Sequence, residues 1–377
     1  LVLGSATPSL ESYHRARGGD WTLLRLPERV VPHEGCALPR VTVVDMRREL
    51  RTGNRSIFSR ALKQQVSRAV DAREQVILFL NRRGTSSFIQ CRGCGFVMRC
   101  KRCEIALTYH AARNALVCHH CSFKAPVPAR CPECSGVKIK FLGLGTEKLE
   151  QEAGELFPQA RTLRWDRDTT AQKDAHETIL RRFRDHEADI LIGTQMVAKG
   201  LDLPRVTLVG VISADTSLNL PDFRAGERAF QLLSQVAGRA GRGERGGQVI
   251  IQTYSPDHYA VESAAAHDYA AFYDRESEFR RRLGYPPFTD LALLVYTHPS
   301  AERCRQEAAR MKDLLLEETA RRGLTVGVSG PVPAFYSRLR GRARWQILLR
   351  GADLSSFLKP VWFPPGWTVD VDPVSLV

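Results

Sequence analysis

Eight of the ten cysteines fall between residues 91 and 134, and all eight are spaced as Cys-x-x-Cys: Cys91/Cys94, Cys100/Cys103, Cys118/Cys121 and Cys131/Cys134. Two intervening residues let a tight turn aim both sulfurs at one ion, and zinc takes four such sulfurs tetrahedrally. The eight therefore predict two Zn2+ ions in closed, structural sites, and a segment organised by metal rather than by a core of its own. Scattered cysteines would suit a secreted disulfide scaffold. Here only Cys36 and Cys304 stand alone, which points to metal binding in a reducing cytosol and a cytoplasmic protein. The spacer from Cys103 to Cys118 is close to a zinc-ribbon loop, so a nested scheme is expected. Cys100, Cys103, Cys118 and Cys121 take one ion, and the outer four take the other. His119 and His120 adjoin ligands but are not needed as such, because sulfur already satisfies both sites.

Around this insertion the pattern is α/β. Val41–Val44 reads as a strand, and Val76–Leu80 is a continuous apolar run of the kind buried parallel strands show. Leu62, Val66, Ala69 and Val70 recur at helical spacing after Ser59, a predicted N-cap. Leu149, Ala153, Leu156 and Phe157 mark a second helix, with Thr146 as its predicted cap and Pro158 ending it. Further strands are expected at 190–192, 206–212 and 248–253, and strands alternating with helices imply a parallel sheet with crossover connections. The predicted organisation has four parts. Residues 1–40 end a preceding lobe and link it onward, residues 41–255 form a RecA-like lobe, residues 91–134 are its zinc insertion, and residues 256–377 form a C-terminal α+β DNA-binding domain. Within the last, residues 256–285 read as polar helix before Gly284-Tyr285-Pro286-Pro287 breaks the pattern.

The net charge of +14 favours an anionic partner, nucleic acid first. No apolar run approaches the roughly 20 residues of a membrane span. Arg92, Arg99, Lys101, Arg102, Arg113, Lys124 and Arg130 surround the knuckles, with Phe96, Tyr109 and Phe123 interleaved. Part of that charge offsets the thiolates and the rest suits phosphates and bases. Near the far end Arg338, Arg340, Arg342 and Arg344 alternate with other residues. In one extended strand all four would project to one side as a DNA-binding row.

Several short segments resemble the motifs of superfamily-two helicase motors, and the roles below are what that resemblance implies. Gln235, Arg239 and Arg242 lie three to four apart in Gln-Val-Ala-Gly-Arg-Ala-Gly-Arg, placing them near one face if the segment is helical. Arg242 is the expected arginine finger on a transferring γ-phosphate, and Arg239 its phosphate-sensing neighbour. Gly238 and Gly241 suggest close approach to a partner. Gly193-Thr194-Gln195 follows a strand, and the carboxyl edge of such a sheet is where ligands bind. Residues 193–202 resemble motif V, which implies Thr194 and Gln195 on the DNA backbone, with Lys199, Gly200 and Asp202 nearer the nucleotide. Phe79-Leu80-Asn81-Arg82-Arg83-Gly84 resembles motif IV, which implies that Asn81 and Arg82, also at a strand end, touch DNA. No Walker A sequence occurs, so this stretch alone is expected not to hydrolyse ATP.

Together with Leu-Gly-Ser-Ala-Thr-Pro at residues 3–8, these motifs in this order resemble the PriA family of bacterial primosomal replication-restart DNA helicases. Gly143-Leu144-Gly145-Thr146-Glu147, Asp166-Arg167-Asp168, Asp222-Phe223-Arg224, Gly330-Pro331-Val332-Pro333-Ala334, Arg344-Trp345-Gln346-Ile347-Leu348 and Asp370-Val371-Asp372-Pro373 extend the resemblance along the chain. The segment at residues 3–8 resembles the last motif of a first motor lobe, so the chain is expected to be the C-terminal part of a larger machine. The resemblance implies the nested zinc scheme, ATP with Mg2+ bound jointly with that first lobe, and 3′-to-5′ unwinding at stalled or recombined forks. It also implies primosome assembly, with forks, single-stranded/duplex junctions, primosome proteins and single-strand-binding proteins as partners and no membrane. The competing expectation is a non-catalytic, zinc-containing DNA-binding scaffold that recruits the same partners.

Overall fold

The computed structural model describes residues 1–26, 38–81, 88–110, 114–141, 145–166, 169–170, 175–194, 203–241 and 246–377. Its centre is a parallel sheet of six strands. These are β1 (Arg40–Asp45), β2 (Gln75–Leu80), β8 (Thr162–Trp165), β9 (Ile190–Gly193), β10 (Val206–Ser213) and β11 (Gln248–Thr253), in the order β1-β11-β10-β2-β9-β8. Every described pairing in it is parallel. The apolar run predicted at 76–80 is β2, whose six residues are all buried. Strand side chains alternate between faces. Ile77 and Phe79 accordingly enter one core, and Val76, Leu78 and Leu80 the other.

Helices cover both faces. On one side lie α3 (Arg60–Asp71) and α4 (Thr146–Leu156), supplying Leu62, Val66, Leu149 and Ala153. Ser59 caps α3 as expected, accepting from the Leu62 amide at 3.2 Å. The helix packs closely because β10 offers Gly210, where a Cβ would meet Leu62 Cδ1 at 2.7 Å. For α4 the expectation needs correction. Gly145 is the N-cap, and Thr146, one residue inside, turns its hydroxyl to Asp166 at the end of β8. The short α2 (Met46–Arg51) follows β1.

The second face holds α1 (Leu10–Gly18), α5 (Ala175–Arg184), α7 (Ala225–Ala237), α8 (Tyr259–Ala265) and α9 (Tyr269–Leu283), with α6 (Asp215–Leu218) a single turn after β10. Leu10 and Tyr13 of α1, Ala260 and Val261 of α8, and Phe272 and Tyr273 of α9 share one core with the sheet. Packing therefore moves two expected boundaries. α1 is bound to the lobe rather than standing apart, and the lobe's core continues past residue 255 into the first turns of α9, up to Tyr273. Polar composition hid the second point, since α9 buries only one side and closes at Gly284, whose φ of 59° suits a glycine cap.

Beyond it, β12 (Asp290–His298), β13 (Gly327–Leu339), β14 (Arg342–Gly351) and β15 (Trp367–Val371) form an antiparallel sheet in the order β13-β14-β12-β15. One face is covered by α10 (Ala301–Arg321) and α11 (Leu354–Leu358). The other brings Leu291 and Leu348 against Phe223 and Tyr285. Among the described residues no helix is long and apolar enough to cross a membrane.

Candidate metal centre and motor surface

The cysteine insertion leaves the lobe after β2 and returns before α4. Its ends are tied by β3 (Ile89–Cys91) pairing antiparallel with β7 (Ile139–Phe141). Between them lies a three-stranded sheet of β4 (Thr108–His110), β5 (Ala115–Val117) and β6 (Lys124–Pro126). The four knuckles share one backbone design. The first cysteine's amide donates to the carbonyl five residues on, as in Cys91 to Phe96, Cys100 to Ile105, Cys118 to Phe123 and Cys131 to Gly136. The residue four on donates back to that cysteine's carbonyl, and this residue (Gly95, Glu104, Ser122 or Ser135) has positive φ in every case. That left-handed turn folds the pair tightly enough to point both sulfurs the same way.

The sulfurs gather as the nested scheme predicts: Cys91, Cys94, Cys131 and Cys134 in one group, Cys100, Cys103, Cys118 and Cys121 in the other, each within 4.8 Å. Sulfur–sulfur separations of 3.7 Å (Cys91–Cys134), 3.6 Å (Cys94–Cys131) and 3.4 Å (Cys100–Cys121) fit a zinc tetrahedron. With zinc–sulfur bonds near 2.3 Å its edges are roughly 3.8 Å. The clustered sulfurs shift one another's ionisation in both directions, with Cys100 and Cys134 lowered. Burial pushes the Cys94 thiol up to about 12, and hydrogen bonding with Cys100, aided by burial, takes Cys118 to about 12. Both groups thus have the donor set and size of zinc sites.

The two groups are rooted in different parts of the molecule. The outer one sits on the carboxyl edge of the parallel sheet. Gln90 donates to the buried Asp215 at 2.8 Å, Arg92 to the Tyr254 hydroxyl at 2.7 Å, and Arg47 to the Cys94 carbonyl at 3.4 Å. The inner one is joined to the C-terminal domain. The His119 ring lies 3.0 Å from the Pro333 carbonyl and Gln346 donates to the His119 carbonyl at 3.0 Å, while His120 Nδ1 and the Tyr285 hydroxyl are 3.1 Å apart. Burial lowers both histidines to about 4, so they serve as neutral struts. Several basic residues expected on nucleic acid are likewise structural. Arg92 binds Tyr254, and Arg99 donates to Asn219 and the Glu104 carbonyl.

Of the expected motor residues, Arg82, Gln195, Lys199, Gly200, Asp202 and Arg242 lie outside the described residues. Thr194 is half-buried just past β9, at the sheet's carboxyl edge. Asn81 sits at the end of β2 as expected and is buried, donating to Ser217 at 2.6 Å. The expectation that Gln235 and Arg239 lie along one helix is corrected, because α7 ends at Ala237 and Arg239 lies past the Gly238 cap. Gln235 is exposed on the last turn, and Arg239 Nε donates back to its carbonyl at 3.3 Å. Gly241 does mark a close approach, but within the chain. At φ 69° it lies against Gly247, and a Cβ on it would come within 2.5 Å of the Gly247 nitrogen.

The arginine row is a hairpin rather than one strand. Arg340 and Gly341 both have positive φ (48° and 77°) and form a two-residue turn, pairing Arg338 with Ala343 and Leu339 with Arg342. Paired residues share a face, so Arg342 and Arg344 project on the side opposite Arg338. Arg338, Arg340 and Arg342 are exposed, and Arg344 is half-buried. Residues that sequence spacing did not mark include Tyr285 and Phe223, stacked with centroids 5.0 Å apart, and the fully buried Arg280. The only local signals were the Gly-Tyr-Pro-Pro break and the Asp-Phe-Arg triplet.

The described residues thus form a parallel α/β lobe that carries a double four-cysteine module on the carboxyl edge of its sheet. Residues 145–244 match the helicase conserved C-terminal domain, residues 100–126 the PriA DNA helicase Cys-rich region domain, and residues 281–374 the primosomal protein N C-terminal domain. The chain belongs to the PriA family. It is 47% identical over 364 residues to replication restart protein PriA of Bacillus subtilis, covering 96% of this chain and 44% of that protein. It is 43% identical over 394 residues to the Synechocystis protein of the same name, covering 100% of this chain and 46% of that protein. The chain thus spans somewhat less than half the length of these relatives.

Proposed function

We propose that the chain is the second-lobe, zinc-module and C-terminal-domain portion of an ATP-dependent 3′-to-5′ DNA helicase that acts at stalled or recombined forks and starts primosome assembly. The observation that carries this reading is the seating of the zinc module. It bridges the ligand-binding edge of the motor sheet and the C-terminal domain, so a strand held by the module would be coupled to both. In this reading each four-sulfur group holds one Zn2+. ATP and Mg2+ lie against the lobe, with Gln235, Arg239, Lys199, Gly200 and Asp202 near the nucleotide and Arg242 on its γ-phosphate. Thr194, Gln195, Arg82 and the Arg338–Arg344 hairpin meet the DNA backbone, and Asn81 supports that edge from below. Primosome and single-strand-binding proteins are the proposed protein partners.

The test is DNA-stimulated ATP turnover by the full-length protein, wild type against Arg242→Ala. An arginine finger predicts a loss of at least about a hundredfold in rate, with DNA affinity retained. Wild-type protein that binds forks but turns over no ATP would favour the scaffold instead.

A further inference from the structure

Three carboxylates converge on one guanidinium beneath the start of α7. Arg280 has a fully buried side chain. It donates from Nε to Glu276 at 2.8 Å, from one terminal nitrogen to Glu11 at 2.9 Å and the Pro286 carbonyl at 3.1 Å, and from the other to Glu227 at 2.6 Å. Each partner belongs to a different piece of the molecule. Glu11 is on α1, Glu227 on α7 and Glu276 on α9, and Pro286 lies at the entry to the C-terminal domain. Secondary bonds close the set. Glu227 also accepts from the Leu10 amide at 2.9 Å, Arg224 donates to Glu11 at 2.9 Å, and the Tyr269 hydroxyl donates to the Pro8 carbonyl at 3.0 Å.

Stability alone does not account for this arrangement. Well-packed apolar residues usually replace a buried ion cluster at no loss, whereas directional bonds of this kind are best attested for fixing register. What is fixed here is specific. The residues just after Ser5-Ala6-Thr7 are held by α7 and α9. α7 is also the helix whose far end presents Gln235 and passes directly into Arg239.

We propose that Arg280, Glu227 and Glu11 form a positioning node that holds the start of α7, and through the helix its far, nucleotide-facing end, in register with the Ser5–Thr7 segment and with the entry to the C-terminal domain. The proposal rests on the motor reading given above. It makes nucleotide turnover depend on the pose of the C-terminal domain through residues that touch neither ATP nor DNA.

The experiment is steady-state ATP turnover by the full-length protein, titrated with ATP and separately with fork DNA, for Glu11→Gln, Glu227→Gln and Arg280→Lys, each with its melting temperature. A misplaced positioning group predicts a kcat lower by about tenfold or more, with KM for ATP and Kd for DNA unchanged within about twofold. Arg280→Lys should not rescue, because it keeps the charge but not the three-way fork. Unchanged kcat in folded variants overturns the node, as does full activity in Arg280→Lys or a parallel fall of kcat and affinity that tracks melting. Glu11 is partly open to solvent. Should the two buried variants fail to fold, normal kcat in Glu11→Gln overturns the proposal by itself. Absent turnover in the wild type rejects the motor reading, and the node with it, whereas an active wild type with unaffected variants rejects the node alone.

Discussion

Tyr285 is where three parts of the molecule meet, and removing it should loosen all three. Its ring is wholly buried, stacks on Phe223 at an interplanar angle of 12°, and lies under the Arg350 guanidinium at 4.6 Å. Its hydroxyl donates to the Cys103 carbonyl at 3.4 Å and sits 3.1 Å from His120 Nδ1. Tyr285→Phe keeps the ring and strips the buried partners of one bond each, a cost of about 1–3 kcal/mol. Tyr285→Ala adds the loss of a buried ring, about 3–5 kcal/mol with the cavity included, and of a stack worth about 0.5–1.5 kcal/mol more. Urea unfolding of the chain, followed by tryptophan fluorescence and far-ultraviolet circular dichroism, measures both. A double-mutant cycle with Phe223→Ala should return a coupling of about 0.5–1.5 kcal/mol. A Tyr285→Ala cost below about 1 kcal/mol, or no coupling to Phe223, would refute the packed joint at Tyr285 and leave the His119 contacts with Pro333 and Gln346 to hold the zinc module to the C-terminal domain.

Elemental analysis of the purified chain should give two zinc ions, and Cys134→Ser, at the exposed outer ligand, should reduce the count towards one while the inner group keeps its metal. Arg342→Ala with Arg344→Ala should lower the slope of log DNA affinity against log salt by roughly 0.7–0.9 for each phosphate no longer neutralised; an unchanged slope would remove this hairpin face from the DNA interface. His258, densely surrounded, has its pKa lowered to about 4 by burial and by the nearby Arg99 charge, and its Nδ1 accepts from the Ala260 amide at the start of α8. Its folded pKa lies below the unfolded value near 6.5, so the stability it contributes is present above that pH. This stability is lost as pH falls from about 6.5 towards 4, at up to about 1.4 kcal/mol per pH unit; His258→Asn should flatten that part of the curve, and an unaltered pH dependence would show that another group titrates.

What the sequence revealed was set by short-range geometry. The Cys-x-x-Cys pairs close through bonds spanning four and five residues, so spacing alone gave the knuckles, and the Cys103–Cys118 spacer gave their grouping. The buried run in β2 and the Ser59 cap are equally local. Where the reading failed, a single left-handed residue or a distant partner decided. Gly341 was visible, but its neighbour Arg340 also takes positive φ, which turns a row of arginines into a hairpin with two faces. The α7 helix stops before Gly238, so helical spacing no longer sets where Arg239 lies; its side chain instead folds back onto the Gln235 carbonyl. Arg280 carried no recognisable spacing at all. Its partners Glu11 and Glu227 lie 269 and 53 residues away, and only the folded packing of α1, α7 and α9 brings them together. The same separation has a mechanical consequence. The pose of Arg239 depends on a glycine turn at one end of α7 and on a buried charge cluster at the other. The motif that marks the motor in sequence is therefore held in place by residues that no motif contains.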